Sequence, residues 1–182
     1  MQPRRVGAEP GGNAAIAGPD TQRSVCCMAS DNPDPELIDP KLVKSFALFR
    51  EPAPGPDGPL DAAELRAIER MSRRFTEFAL TRTAKVVLEG DLAFLVVPGV
   101  DGILMLPPIE AGRPFAAMGA KTETLLKGRP VGSSGSLVFG LAVDGVRLQS
   151  VELADGSTVE VPVTRNVYAT DDPTRKAPQH RG

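Results

Sequence analysis

The sequence has no tryptophan, one tyrosine, one histidine and two cysteines in 182 residues, and each scarcity narrows what the chain can do. Histidine is the side chain whose ordinary pKa suits proton transfer near neutrality. The one present, His180, stands two residues from the end of the sequence, so a triad or a histidine-assisted nucleophile requires that tail to fold back. The cysteines, Cys26 and Cys27, are adjacent, whereas a disulfide framework needs spaced, matched partners. With His180 and the cysteine pair in opposite tails, a zinc site of ordinary ligand spacing cannot be written. No EF-hand-like loop offers calcium a home. The expectation is therefore no metal, no cofactor and no assignable catalytic residue.

Other absences exclude partners. Aromatic residues make up 4% of the chain, which leaves few platforms for base stacking. A formal net charge of -2, without a basic stripe, argues against a nucleic-acid partner. No apolar run approaches the roughly 20 residues of a membrane-spanning helix; the best, residues 92–100, is strand length. The opening MQPRR is not followed by an apolar segment, so no secretory signal is expected. The reading is a cytoplasmic protein with no membrane partner.

What is present is periodic. Residues 1–35 are rich in Gly, Pro, Ala, Asp and Arg without periodicity, and are read as a disordered leader. Translation from Met28 would remove most of it. From residue 36 a single domain is expected, running to residue 170. Asp39-Pro40 has the cap-then-proline signature of a helix start, and Leu42, Val43, Phe46 and Phe49 carry a short amphipathic helix over residues 40–49. Residues 51–59, EPAPGPDGP, read as a semi-rigid connector. Asp61 and Glu64 have capping-box spacing and open a second helix. Its apolar stripe is read as Leu65, Ile68, Phe75 and Ala79, widened by Met71 and Phe78, with Arg66, Arg70, Arg73 and Arg74 opposite.

Beyond Thr83 the period changes to two. Strands are expected at residues 85–88, 92–97 and 103–106, joined at Glu89-Gly90-Asp91 and at residues 98–102, and closed by Pro107-Pro108. A short helix at residues 122–127 should end at Gly128, with residues 128–135 as loop. Residues 136–168 then alternate through Leu137, Phe139, Leu141 and Val143, turn at Asp144-Gly145, run through Val151 and Leu153, turn at Asp155-Gly156, and continue through Val159, Val161 and Val163. Asp-Gly between alternating strands is a strong hairpin signal. The fold predicted is α+β: an antiparallel sheet of about six strands in a hairpin meander, with two N-terminal helices packed on one face. Residues 171–182 are read as a frayed tail.

Candidate chemistry is thin. Asp101, Asp144 and Asp155 each precede a turn glycine, and turn chemistry explains them. The most site-like loop is residues 127–136, where glycines expose amides and Lys127 and Arg129 supply positive charge. It lacks P-loop spacing and leads into a strand. Ser133, Ser134 or Ser136 would need a base to act as nucleophile, and none is evident. Arg165 and Asn166, after the last strand, complete a speculative ligand-binding set of Lys127, Arg129, Ser133, Ser134, Arg165 and Asn166.

The segments SFALFREP (residues 45–52), LAFLVVPGVDGILML (residues 92–106) and GLAVDGVRLQSVELADG with VPVTRNVY (residues 140–168) resemble a loose group of uncharacterised proteins from high-GC bacteria. The resemblance implies one β-rich domain, and no active residue carries over from it. The function expected is a non-catalytic protein-binding or regulatory module, with edge pairing through residues 83–88 or 158–163 as the physical route to a protein partner. The rival is an anion- or small-molecule-binding sensor or enzyme built on residues 127–136 with Arg165 and Asn166. Oligomeric state stays open.

Overall fold

Asp39 caps the first described helix as the sequence predicts. In the computed structural model, which describes residues 38–72, 77–109 and 116–175, its carboxylate accepts from the Lys41 amide at 2.8 Å. Pro40 opens helix α1, Pro40–Ser45. The helix does not run on to Phe49. Phe46 is extended, and a 3-10 turn, Ala47–Phe49, follows. The break turns Phe46, Leu48 and Phe49 all into the interior, with the Phe46 and Phe49 rings edge-to-face at 6.0 Å. A continuous helix would have left one of the three on the far side.

Helix α2, Ala62–Ser72, opens on the capping box. The Asp61 carboxylate accepts from the Ala63 and Glu64 amides at 2.7 and 2.8 Å, and Glu64 accepts in return from the Asp61 amide at 2.7 Å. Its buried face is Glu64, Ala67 and Met71, while Leu65 is 54% exposed. The expected stripe through Leu65 is thus rotated by one position, because Glu64 is drawn inward onto Lys85. Phe78 and Ala79 do not belong to the helix: Phe78 bridges Gly99, and the Ala79 amide donates to the Pro98 carbonyl. Phe75, Arg73 and Arg74 lie outside the described residues.

Four antiparallel strands follow in spatial order: β1 (Ala84–Leu88), β2 (Leu92–Pro98), β3 (Gly102–Leu106) and β4 (Met118–Lys121). Helix α3, Thr122–Leu126, is closed by Gly128, at φ +67°, whose amide donates to the Leu125 carbonyl. A second sheet has the order β5 (Gly132–Ser134), β6 (Leu137–Leu141), β9 (Val167–Asp171), and the hairpin β7 (Leu148–Glu152) with β8 (Thr158–Pro162) forms a third. The fold is α+β with antiparallel sheets, but nine strands divide four, three and two among the described residues.

This corrects the single six-stranded meander. The turn at Asp144-Gly145 exists, but β6 does not pair with β7. Composition explains the parting. Residues 138–142 are buried on both faces, so β6 needs neighbours on both sides. In β7 only Val151 is fully buried and Leu148, Ser150 and Glu152 are exposed, which suits an outer layer. Residues 128–135, expected as loop, contain β5. Asp171, expected to fray, ends β9, and Asp172 is fully buried; residues 176–182 lie outside the described set, as does the expected leader.

Three apolar layers hold the sheets. Val86, Phe94, Val96, Ile103 and Met105 face Phe139, Leu141 and Val167 across a central core that also takes Leu42, Phe46 and Leu125. There the Phe94 and Phe139 rings lie 5.4 Å apart. On the other face of the first sheet, Leu95, Val97, Leu104 and Leu106 pack against Ala67 and Met71 of α2. So α1 and α2 lie on opposite faces of that sheet, not on one. Beyond the second sheet, Val138, Ala142 and Tyr168 meet Val151, Leu153 and Val161 of the β7–β8 hairpin. Tyr168 lies across from Gly140, where a Cβ would come within 2.5 Å of its hydroxyl.

Candidate functional site

The six residues singled out by sequence fall into three places. Lys127 and Arg129 follow α3, both exposed and without a side-chain partner among the described residues. Ser133 lies on β5 opposite Val138, and its Oγ accepts from the Arg175 guanidinium. Ser134 is exposed opposite Leu137. Ser136 donates to Asp171 at 3.0 Å. Arg175 also donates to Asp172 at 3.2 Å. The Asp172 carboxylate takes up the Ala154 amide at 2.8 Å and the Thr174 amide at 3.0 Å. Donation from the Thr174 hydroxyl is the largest influence on it. With the two amides and Arg175 it outweighs burial and holds the carboxyl at about 2. This end of the second sheet is a tied-off terminus.

Arg165 and Asn166 sit at the opposite end of the same sheet. The Ala142 amide donates to the Asn166 carbonyl, and Ser133 pairs with Val138, four residues along β6, or about 13 Å of strand. They occupy the centre of a tight turn in which Thr164 and Val167 exchange both backbone hydrogen bonds at 2.9 Å. Both have positive φ, +46° and +67°, the geometry of a type I′ turn that glycine or asparagine usually fills.

Their side chains reach away from the turn into the structure. Arg165 donates to Asp57 at 2.6 Å and to the Lys85 carbonyl at 2.9 Å, and pairs with Glu51. Its guanidinium lies against Gly55, where a Cβ would be 2.5 Å from Nη2; its Nε is buried without a partner. Asn166 accepts from the Leu48 amide at 3.1 Å and donates to the Ala142 carbonyl and to Asp144, each at 2.9 Å. Asp144 also accepts from the Ala47 amide at 2.7 Å and from Arg50 at 2.6 Å. Burial pulls the Asp144 carboxyl up, but the bonds from Arg50, Asn166 and Ala47 together outweigh it and leave it below the ordinary value. Asp144, read from sequence as a turn residue, is therefore also the anchor of the 3-10 turn.

One consequence concerns strand edges. Residues 51–59 do not act as a free connector: they fold back along β1. The Lys85 amide donates to the Pro54 carbonyl at 2.7 Å and the Val87 amide to Asp57 at 3.1 Å. The outward amides of β1 are thereby satisfied and the edge at residues 83–88 is covered. The β7–β8 hairpin differs. Donation from the Val163 amide to the Arg147 carbonyl at 2.9 Å and from the Leu153 amide to the Ser157 carbonyl at 2.8 Å fixes the register, in which Gln149 meets Val161 and Val151 meets Val159. The amides and carbonyls of Leu148, Ser150 and Glu152 thus point away from β8, and no other backbone takes them up among the described residues.

Further chemistry is sparse among the described residues. No group of three or more His, Cys, Asp or Glu side chains is placed to hold a metal ion, and no helix is long and apolar enough to cross a membrane. An open cleft lies beside β4, lined by Phe78, Val100, Asp101, Ile103, Ala120 and Lys121, without a convergent set of polar groups. Comparison of the chain with protein-family models, with curated proteins and with solved structures finds no match.

Proposed function

We propose that this chain is a non-catalytic protein-binding or regulatory module of the cytoplasm, and that the β7–β8 hairpin is the surface it presents. The observation that carries the reading is the contrast between two edges. The outer edge of β1 is closed by residues 51–59 and Arg165, whereas at the outward positions of β7 no other backbone pairs among the described residues, and the one side-chain bond is from Gln149 Nε2 to the Ser150 carbonyl at 3.1 Å. Unpaired edges are features that proteins normally blunt, and an extended partner satisfies them by strand addition.

The sensor reading keeps one observation in its favour, the exposed and unpartnered Lys127 and Arg129. Arg165 and Asn166, which would have completed that pocket, are engaged elsewhere. A photocrosslinking residue placed at Leu148 of the full chain, in cells of its own host, separates the readings. The expected result is one dominant protein adduct that is absent when the crosslinker replaces Leu65, followed by binding of the purified companion. Equal background at both positions would overturn the module. So would a retained small molecule lost on Arg129→Ala.

A further inference from the structure

We infer that the open edge of β7 takes a basic, extended segment of a partner protein as an added antiparallel strand. The inference rests on the module reading and names the partner's chemistry. Three features of the hairpin support it.

The first is which edge is usable. On the outer side of β8 the third outward position is Pro162, which has no N–H to offer. Strand β7, LQSVE, contains neither proline nor lysine, the residues that commonly blunt an edge. Its outward positions, Leu148, Ser150 and Glu152, are spaced two apart and can exchange bonds with one strand of five residues, which at the Ser150 carbonyl takes the place of the Gln149 side-chain amide that donates to it at 3.1 Å.

The second is charge. Glu152 lies across from Thr158, and Ser150 across from Glu160, so the two glutamates are diagonal neighbours on one exposed face, about 7 Å apart. Neither has an ion-pair partner among the described residues. Two uncompensated carboxylates at that spacing repel, and a cation on a third strand relieves both.

The third is the opposite end of the same face. Leu148 is 58% exposed and sits across from Pro162, which makes a small apolar spot. An antiparallel newcomer reads β7 backwards, so its order from the N-terminus is basic, any, polar, any, apolar. A second copy of this chain does not fit that order. Pairing β7 on itself about Ser150 would set Leu148 of each copy beside Glu152 of the other.

The test uses the full chain and a labelled peptide of eight residues containing Arg-Val-Thr-Val-Leu, followed by fluorescence anisotropy. Saturable binding is expected. It should weaken with added salt, and by about tenfold or more in the double variant Glu152→Lys, Glu160→Lys, whose altered side chains are exposed and touch nothing that folding needs. Methylating the peptide amides that face β7 should abolish binding while leaving its charge intact. The inference is overturned if the methylated peptide binds as well, if a peptide with glutamate in place of arginine binds as well, or if neither form binds. It is also overturned if sedimentation shows a dimer through this edge. Peptide failure together with a specific adduct at Leu148 would sink the strand-addition inference and leave the module standing; failure of both would remove the module too.

Discussion

Replacing Lys85 by methionine should destabilise the protein by about 3–5 kcal/mol, the cost of stranding one member of a buried ion pair. The magnitude follows from the surroundings of the pair. Lys85 Nζ lies 3.0 Å from both carboxylate oxygens of Glu64, with side-chain exposures of 13% and 6%. It also donates to the Pro59 carbonyl at 3.3 Å. Without it, Glu64 keeps among the described residues only the Asp61 amide at 2.7 Å, one neutral donor for a desolvated carboxylate. Replacing both residues, Lys85→Met with Glu64→Leu, removes the charges together. It should recover most of the loss, leaving a deficit of about 1 kcal/mol for the broken capping box. Urea unfolding followed by far-ultraviolet circular dichroism measures all four proteins of the cycle. The single variant should lower the midpoint without changing the slope. If Lys85→Met costs less than about 1 kcal/mol, the pair behaves as a surface salt bridge and the reasoning fails. If the double variant loses the sum of the single losses, the residues are uncoupled and it fails again.

Tyr168→Phe should be neutral or stabilising by up to about 1 kcal/mol in the same unfolding assay, since the hydroxyl it removes is buried without a hydrogen bond; a loss above about 1 kcal/mol would mean that the hydroxyl has a partner. Burial also pushes the Tyr168 phenol above its ordinary value of 10.0, so its absorbance at alkaline pH should rise only as the protein unfolds. Gly140→Ala should cost about 1–3 kcal/mol, because the added Cβ would meet the Tyr168 ring at 2.7 Å and the Pro130 Cα at 3.1 Å; unchanged stability would refute that contact. Asp172, depressed from 3.8 to about 2, contributes stability that is complete above pH 4 and fades as pH falls toward 2. Urea midpoints between pH 5 and pH 2 should therefore fall less steeply for Asp172→Asn, whose stability is already lower at pH 5, than for the parent.

How much of this was legible depended on whether the partner of a residue lay near it in sequence. The β1–β2–β3 ladder, the caps at Asp39 and Asp61, and the Gly128 stop involve neighbours, and local rules suffice for neighbours. Strand β5 is Gly-Ser-Ser and β4 is Met-Gly-Ala-Lys, with little β preference of their own. They are strands because β6 and β3 offer edges to them. The Asp144-Gly145 turn marked a reversal correctly, but a reversal does not say whether the two strands it joins will pair. That was decided by β6 being apolar on both faces. At the candidate site, Arg165 and Asn166 stood out as polar residues in a turn. Their partners Glu51, Asp57, Leu48 and Asp144 lie 114, 108, 118 and 22 residues away, and no periodicity reports such pairings.

The Arg165-Asn166 turn links these observations to function. Two residues with Cβ atoms at positive φ cost backbone energy that a glycine would spare. The strain is tolerated because each side chain has work at a distance. Asn166 satisfies the amide and carbonyl left open where the 3-10 turn meets the end of β6. Arg165 draws two carboxylates of residues 51–59 against the outer edge of β1. A glycine in either position would relax the turn and release the segment it holds. The chain thus covers the outer edge of β1 with a proline-rich strap and a strained arginine, whereas among the described residues the outer edge of β7 meets only the Gln149 side chain, which donates to the Ser150 carbonyl at 3.1 Å. That difference between the outer edges of β1 and β7 is what the proposed strand addition rests on.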